Sequence, residues 1–176
     1  MVKRLTEGPI IELKHKTSEA EMLKLIDELM VTAIGTLPKE MGELIDLGLI
    51  KFEKKYKDLK YYSFPIIADA YFTARKPKKY TIKIFYDTTY IWSTYAKMYA
   101  IAEIFRSIAI CYLIHKNVQR RLTTSEADKF KKDVRDSLTT FLKKFKITKE
   151  DKYCILVDMG YDEFWGQYRK MLKARK

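Results

Sequence analysis

Residues 90–114 read YIWSTYAKMYAIAEIFRSIAICYLI, an apolar stretch without glycine or proline. Only Lys97, Glu103 and Arg106 place charges within it. Its freedom from helix-breaking residues, which extends from about residue 88 to 121, predicts a single long helix. A helix that is apolar on every side is normally buried, and three charges argue against a bilayer span even though the length would permit one. We expect a buried central helix and no transmembrane span.

The length of this helix bears on assembly. If continuous, it would extend about 50 Å at about 1.5 Å per residue. A compact domain of 176 residues has a radius of gyration of only about 16 Å. Either the helix breaks, or the molecule is elongated and covers this surface with other subunits. We expect a homo- or hetero-oligomer formed through the helix of residues 90–114.

A second long helix follows after a short turn. Thr123 to Glu126 has the spacing of a capping box, and the helix that starts there is expected to run to about Lys146. Its apolar stripe includes Phe130, Val134 and Leu138, and its other face is basic. Two long helices joined by a short turn should pack antiparallel.

Two shorter helices are expected near the N-terminus. Ser18 and Glu21 form a capping box ahead of a periodic apolar run to Met30. Pro38 suits the first turn of the next helix, which ends at Gly48. Residues 1–17, which precede the first helix, are expected to form an N-terminal arm. Residues 18–176 are expected to form a single helical domain.

The segment between these helical regions is less regular. A short helix is expected after Pro65 to about Ala74. Tyr80 to Tyr86 alternates well enough for a strand, and the alternative is that it leads straight into the next helix. The predicted fold class is mainly α. It is an antiparallel helical bundle with a long central hydrophobic helix and an N-terminal arm, to which a short β-hairpin near 51–64 or a strand near 80–86 is an allowed addition.

Charge gives the strongest functional signal. The chain has 35 Lys and Arg against 23 Asp and Glu, a net charge of +12, with an isoelectric point near 9.5. Such a balance is typical of proteins that bind phosphate polymers. The positive charge is uneven: residues 51–86 hold ten basic and three acidic residues, residues 116–149 hold eleven and four, and residues 19–50 are acidic. A surface rich in lysine that only confers solubility is the alternative.

The basic clusters define the candidate nucleic-acid-binding residues, because concentrated Lys and Arg can replace the counterions of a phosphate backbone. They are Lys14, Lys16, Lys54, Lys55, Lys57, Arg75, Lys76, Lys78, Lys79, Lys116, Arg120, Arg121, Lys132, Arg135, Lys143 and Lys144. Thirteen tyrosines are interleaved with lysine, as in Lys55-Tyr56-Lys57. These rings would either stack on exposed bases or pack at subunit interfaces.

Catalysis finds little support. His15 and His115 lie far apart without metal-ligand spacing, and no glycine-rich phosphate loop exists. Glu53-Lys54-Lys55 with Asp46 upstream faintly resembles the acidic-x-Lys core of metal-dependent nucleases, but a solvated charged face is the simpler interpretation. We expect no enzyme, no metal, no cofactor and no small-molecule substrate.

Source and compartment follow from composition. The chain has one Asn and two Gln beside abundant Lys, Glu and Ile, which is the pattern of hyperthermophile proteins. Cys111 and Cys154 lack CxxC spacing and are interpreted as buried thiols. The N-terminus lacks the apolar stretch of a signal peptide. We expect a protein of a virion or of the host cytoplasm, not one secreted by a signal peptide.

Two resemblances refine the functional expectation. Glu43 to Ile50, followed by lysines and by residues 59–64, resembles a winged-helix recognition helix that runs into its wing. The arm through Lys16, the apolar helix of 90–114 and the basic helix of 125–146 together resemble the coat proteins of filamentous viruses of hyperthermophilic archaea. That second resemblance implies a self-assembling protein that wraps double-stranded DNA.

Three functions stay open at this level. The first is a non-enzymatic protein that packages or coats double-stranded DNA through Lys and Arg contacts to phosphates, as a viral coat or nucleocapsid protein. The second is a winged-helix transcriptional regulator. The third is a basic subunit of a larger complex.

Overall fold

The computed structural model describes residues 17–59, 66–71, 78–88 and 94–143. Within these ranges the chain forms four helices and three strands, so the fold is α/β and the expected helical bundle is wrong. In chain order the elements are α1 (Glu19–Gly35), α2 (Lys39–Asp46), β1 (Ile50–Tyr56), β2 (Ile66–Tyr71), β3 (Tyr80–Tyr86), α3 (Thr94–Gln119) and α4 (Thr124–Leu142).

The three strands form a mixed sheet in the order β1-β3-β2. The central strand β3 pairs in parallel with β1, where Phe52 lies opposite Ile82, and antiparallel with β2, where Ala68 lies opposite Ile84. The strand expected near 80–86 is confirmed. The expected hairpin near 51–64 is not supported: β1 has a parallel partner, and residues 60–65 lie outside the described ranges.

The short helix expected after Pro65 is wrong, because residues 66–71 form strand β2. Ile66 and Ala68 are buried and alternate with the half-buried Ile67 and Asp69, which is the two-residue period of a strand. Periodicity alone cannot assign so short an apolar run to helix or strand. The free edge of β3 decides it, since pairing along that edge satisfies the backbone groups of β2.

Helix α3 packs against the sheet, mainly along its edge strand β2. Phe105, Ile104 and Ile108 are fully buried, and the Ser107 hydroxyl donates a hydrogen bond of 2.9 Å to the Ala68 carbonyl of β2. At about 1.5 Å per residue its 26 residues extend about 39 Å. Within Ala96–Gln119, the chain's own elements bury most of the side chains of α3.

Segment Ala96–Gln119 of this helix is long and apolar enough to cross a membrane by length and composition alone. In its most apolar window, 78% is buried inside the fold. Two charged residues of the segment form an ion pair with each other. Arg106 Nη2 lies 3.0 Å from a carboxylate oxygen of Glu103, whose side chain is 4% exposed. Burial raises the pKa of Glu103, and Arg106 opposes that rise. A mostly buried helix is what the core of a water-soluble domain also provides.

The predicted starts of the other helices are confirmed. Ser18 and Thr123 each form a complete capping box, with Glu21 and Glu126 respectively, at the N-termini of α1 and α4. Helix α1 continues beyond the expected Met30 to Gly35. Helix α2 begins directly after Pro38.

Gly48 follows the end of α2 with a φ of +64°, the left-handed conformation that glycine adopts without strain. The amide of Gly48 donates to the Ile45 carbonyl, and that of Leu49 to the Leu44 carbonyl. This cap turns the chain directly into β1, so the acidic helix and the lysine-rich strand are only a few residues apart.

Candidate nucleic-acid interface

The positive charge of the chain is not concentrated in its described part. Residues 17–59, 66–71, 78–88 and 94–143 hold 19 of the 35 basic residues and 16 of the 23 acidic residues, a surplus of three. The remaining surplus of nine belongs to the rest of the sequence, which includes the candidates Lys14, Lys16, Arg75, Lys76 and Lys144. Any cationic surface in the described part therefore depends on local arrangement, not on bulk charge.

The sheet has two chemically different faces. Its inner face carries Ile82 and Ile84 into the core against α3. Side chains of the alternate positions point to the opposite side. We call this side the outer sheet face; its members are Lys51, Glu53, Lys55, Ile67, Asp69, Tyr71, Thr81, Lys83 and Phe85.

The strand register arranges these members in three rows across the sheet. Glu53, Lys83 and Asp69 form the middle row, with a lysine between two carboxylates. The row towards the start of β3 contains Lys51, Thr81 and Tyr71, and the row towards its end contains Lys55, Phe85 and Ile67. Each of the two rows that flank the middle row thus contains one lysine and one aromatic residue.

Lysine ammonium groups lie against both rings of this face. The Nζ of Lys83 is 4.1 Å from the ring centroid of Tyr71, and the Nζ of Lys57, just after β1, is 5.1 Å from that of Phe85. Such cation–π contacts are worth about 0.5–1 kcal/mol at exposed sites. Tyr71 is 40% exposed and Phe85 is half-buried. With Lys57, four lysines surround two rings and two carboxylates.

Glu53 is bound by its neighbours on this face. Its carboxylate lies 3.0 Å from Lys51 Nζ and 3.7 Å from Lys55 Nζ. The hydrogen bond from Lys51 lowers the pKa of Glu53, and the charges of Lys51, Lys55 and Lys83 add to that effect. The carboxylate is therefore ionised at neutral pH and offsets part of the lysine charge.

The nuclease resemblance gains nothing from this geometry. Glu53 and Lys55 share a face, but Asp46 lies at the end of α2 and outside the sheet. Among the described residues, no group of three His, Cys, Asp or Glu side chains is arranged to hold a metal ion. Catalysis through such a site has no structural support in the described ranges.

The candidates on and next to β1 and β3 differ in how exposed their side chains are. Lys55, Lys57, Lys78 and Lys79 are exposed. Lys54 instead points to the inner side and forms an ion pair with Asp27 of α1. Its ammonium group is engaged in holding the strand to the helix, so it is a poor phosphate ligand.

Three further candidates lie near the α3–α4 turn, and one of them forms an ion pair with a carboxylate. Arg120 binds Glu126, the same carboxylate that completes the capping box of α4. Lys116 Nζ lies 5.3 Å from the ring centroid of Tyr112, and Arg121 is exposed. The guanidinium of Arg120 thus has a structural partner that a phosphate would have to displace.

A cleft of about 440 Å³ opens beside this turn, between α2, α3 and α4. The rings of Tyr112 and Phe130 stack at 5.4 Å in its wall, and Tyr112 donates a hydrogen bond of 3.3 Å to Glu40. Burial, with the charge of Glu40 next, raises the pKa of Tyr112 to about 12. The charged residues that line the cleft are balanced, with three basic and three acidic side chains: Glu40, Lys116, Arg120, Glu126, Lys129 and Asp133.

The outward face of α4 alternates in sign. The candidates Lys132 and Arg135 are exposed, and Lys132 has Asp128 and Asp136 four residues away on either side. Side chains at this spacing are neighbours on a helix surface, so opposite charges there reduce the field that a distant phosphate meets. Lys143, also exposed, follows the end of the helix.

The described cysteine and histidine both have shifted pKa values. Cys111 is buried in α3, where burial raises the pKa of its thiol to about 12. His115 lies between Tyr80 and Gln119, and burial lowers its pKa, with the charge of Lys116 adding to the effect. Cys111 belongs to the buried core, whereas His115 is half-buried. His15 and Cys154 lie outside the described residues.

Among the lysines and aromatic residues of the outer sheet face, four were absent from the candidate list, namely Lys51, Tyr71, Lys83 and Phe85. The signal for β3 was present, because the strand expected at 80–86 assigns Thr81, Lys83 and Phe85 to one side. Tyr71 was hidden by the mistaken helix over residues 66–74. Charge clustering along the sequence cannot show which lysines end up beside an aromatic ring.

Comparison of the chain with protein-family models, with curated proteins and with solved structures found no match. The functional argument therefore depends on the residues themselves and on the faces to which the fold assigns them.

Proposed function

We propose that this protein binds nucleic acid without catalysis, through lysine contacts to backbone phosphates on the outer sheet face. The observation that carries the proposal is the gathering of Lys51, Lys55, Lys57 and Lys83 around two aromatic rings. Phosphate contacts of this kind hold a nucleic acid without reading its sequence. The basic residues of the arm and of the C-terminal segment would add to the same attraction.

In the form that the sequence favours, copies of the chain coat double-stranded DNA and associate with one another, as a nucleocapsid protein does. The α/β fold removes the helical bundle on which the viral resemblance depended, and α3 is covered within the chain. Self-association must therefore use other surfaces. Negative-stain microscopy and sedimentation with and without DNA test this part separately: DNA-dependent filaments support coating, and discrete particles contradict it.

The winged-helix alternative has no observation in its favour. The exposed charged residues of α2, which would be the recognition helix, are mainly acidic: Glu40, Glu43 and Asp46 outnumber Lys39. Acidic side chains repel the phosphates that flank a major groove. In addition, β1 pairs in parallel with β3, whereas the wing needs an antiparallel hairpin.

Two matched triple variants test the phosphate contacts. The sheet variant changes Lys55, Lys57 and Lys83 to Gln, and the control changes Lys129, Lys132 and Arg135 of α4 to Gln, so both lose three positive charges. We expect the sheet variant to lose affinity by about ten-fold or more near 0.1 M salt and to reduce the slope of log K against log salt by up to about three. The control should lose less than about three-fold.

The measurement is fluorescence anisotropy with a labelled DNA duplex at several salt concentrations. Equal losses in the two variants would mean that only net charge matters and that the sheet is not the interface. Unchanged binding and an unchanged salt slope in the sheet variant would refute the proposal.

A further inference from the structure

We infer that the outer sheet face binds unpaired bases, with Tyr71 and Phe85 each stacking on one base of a single strand. The inference rests on the proposed function, because it assigns a ligand class to the same face. It goes beyond phosphate contact, since stacking distinguishes a single strand from a duplex. The ligand that this face prefers is a single-stranded nucleic acid, bound without regard to sequence, whereas double-stranded DNA is bound through the lysines alone.

The spacing of the two rings calls for two separate bases. Tyr71 lies opposite Thr81 of β3, and Phe85 is four residues further along the same strand. At about 3.3 Å per strand residue, the two positions are about 13 Å apart. One base cannot cover both rings, but successive parts of an extended strand crossing the sheet can reach each in turn.

Neither ring is already stacked on another ring across the strands. Thr81 is the cross-strand neighbour of Tyr71, and Ile67 is that of Phe85, so neither ring has another ring opposite it. Tyr71 is 40% exposed. Because the inner positions of the same strands are buried in the core, these two rings are held on a rigid support.

Lysine supplies the second half of each contact. Lys83 lies over Tyr71 and Lys57 over Phe85, both within reach of the ring face. An incoming base would displace the ammonium group from the ring, and the released lysine would then be next to the phosphate of the same nucleotide. Stacking and charge neutralisation would thus be gained together, which is how sequence-tolerant single-strand binders work.

A duplex cannot use the rings in this way. Its bases already stack on one another, and their faces are closed to a protein surface. A duplex would contact only the lysines, whereas a single strand would contact lysines and rings. We therefore expect tighter binding of a single strand than of a duplex of equal length at the same salt concentration.

The test compares a thymidine 12-mer, an abasic 12-mer of equal charge and a 12-base-pair duplex. The double variant Tyr71→Leu/Phe85→Leu removes both rings and keeps every charge. We expect it to bind the thymidine strand about ten-fold or more weakly and the other two ligands unchanged. The variant Tyr71→Phe/Phe85→Tyr, which keeps both rings, should bind like the parent protein, and circular dichroism melting verifies that both variants are folded.

The outcomes separate the two proposals. If the parent protein binds the thymidine strand and the abasic strand equally, or if loss of the rings weakens all three ligands alike, the stacking inference fails while phosphate binding stands. If the triple lysine variant described above binds every ligand as the parent does, the proposed function itself fails.

Discussion

The outer sheet face and helix α4 are both rich in lysine, yet they arrange it differently. On the sheet, strand pairing brings lysines from β1 and β3 together beside Tyr71 and Phe85. On α4, lysine and aspartate alternate along one surface, as Lys132 does with Asp128 and Asp136. The difference teaches that a count of basic residues does not locate a binding surface, because the neighbours of each charge decide its effect.

The largest effect is expected where α3 packs against the sheet, because its side chains there are fully buried. Phe105→Ala removes a fully buried ring and should lower the free energy of unfolding by about 3–5 kcal/mol. Urea unfolding measures it. On α4, Val134→Ala should cost less, about 1–2 kcal/mol, because a smaller side chain is lost. Equal losses would mean that the two regions contribute alike to the core.

Variants of α4 test whether its aspartates reduce the attraction of its lysines for DNA. Changing Asp128, Asp133 and Asp136 to Asn removes the alternation and should raise affinity for duplex DNA by about five-fold, with a steeper salt dependence. The control changes Glu28, Glu43 and Asp46 on α1 and α2 to their amides, which adds the same charge elsewhere. Anisotropy titration compares the two. An equal gain in both variants would remove any special role for alternation on α4.

The capping box of α4 is expected to have a moderate effect on stability. The Thr123 hydroxyl accepts from the Glu126 amide at 3.2 Å, and Thr123→Ala should lower the free energy of unfolding by about 1 kcal/mol. Ser18→Ala at the corresponding position of α1 is the matched variant, and it should cost a similar amount. Thermal melting measures both; no change in either variant would contradict the assigned caps.

The smallest effect concerns pH. Arg120, followed by the amide and hydroxyl of Thr123, lowers the pKa of Glu126 to about 2 from its usual value of 4.5. Because the folded-state pKa is depressed, the associated stabilisation is complete above about pH 4.5 and is lost as the pH falls towards 2. Glu126→Gln should flatten the pH dependence of melting in this window. A dependence identical to that of the parent protein would show that Glu126 has no part in it.

Helix starts were the most predictable features of this fold. Ser18, Pro38 and Thr123 each precede a helix as expected, because the signal is contained in three or four consecutive residues. Strand β3 was predictable for a similar reason, since its alternation is complete over seven residues. The candidate site was predictable only in part. Lys55 and Lys57 belong to it, but Lys54, directly before Lys55 in sequence, forms an ion pair with Asp27 instead.

The sequence by itself determined the caps, the alternation of β3, the apolar character of α3 and the interleaving of lysine with tyrosine. Only the tertiary structure decided that residues 66–71 are a strand, that the sheet covers α3, and which cations meet a ring or a carboxylate. The physical reason is the range of the interactions. A capping hydrogen bond joins residues three apart, whereas Lys54 and Asp27 are 27 residues apart, and β2 owes its conformation to an edge that the chain forms only later.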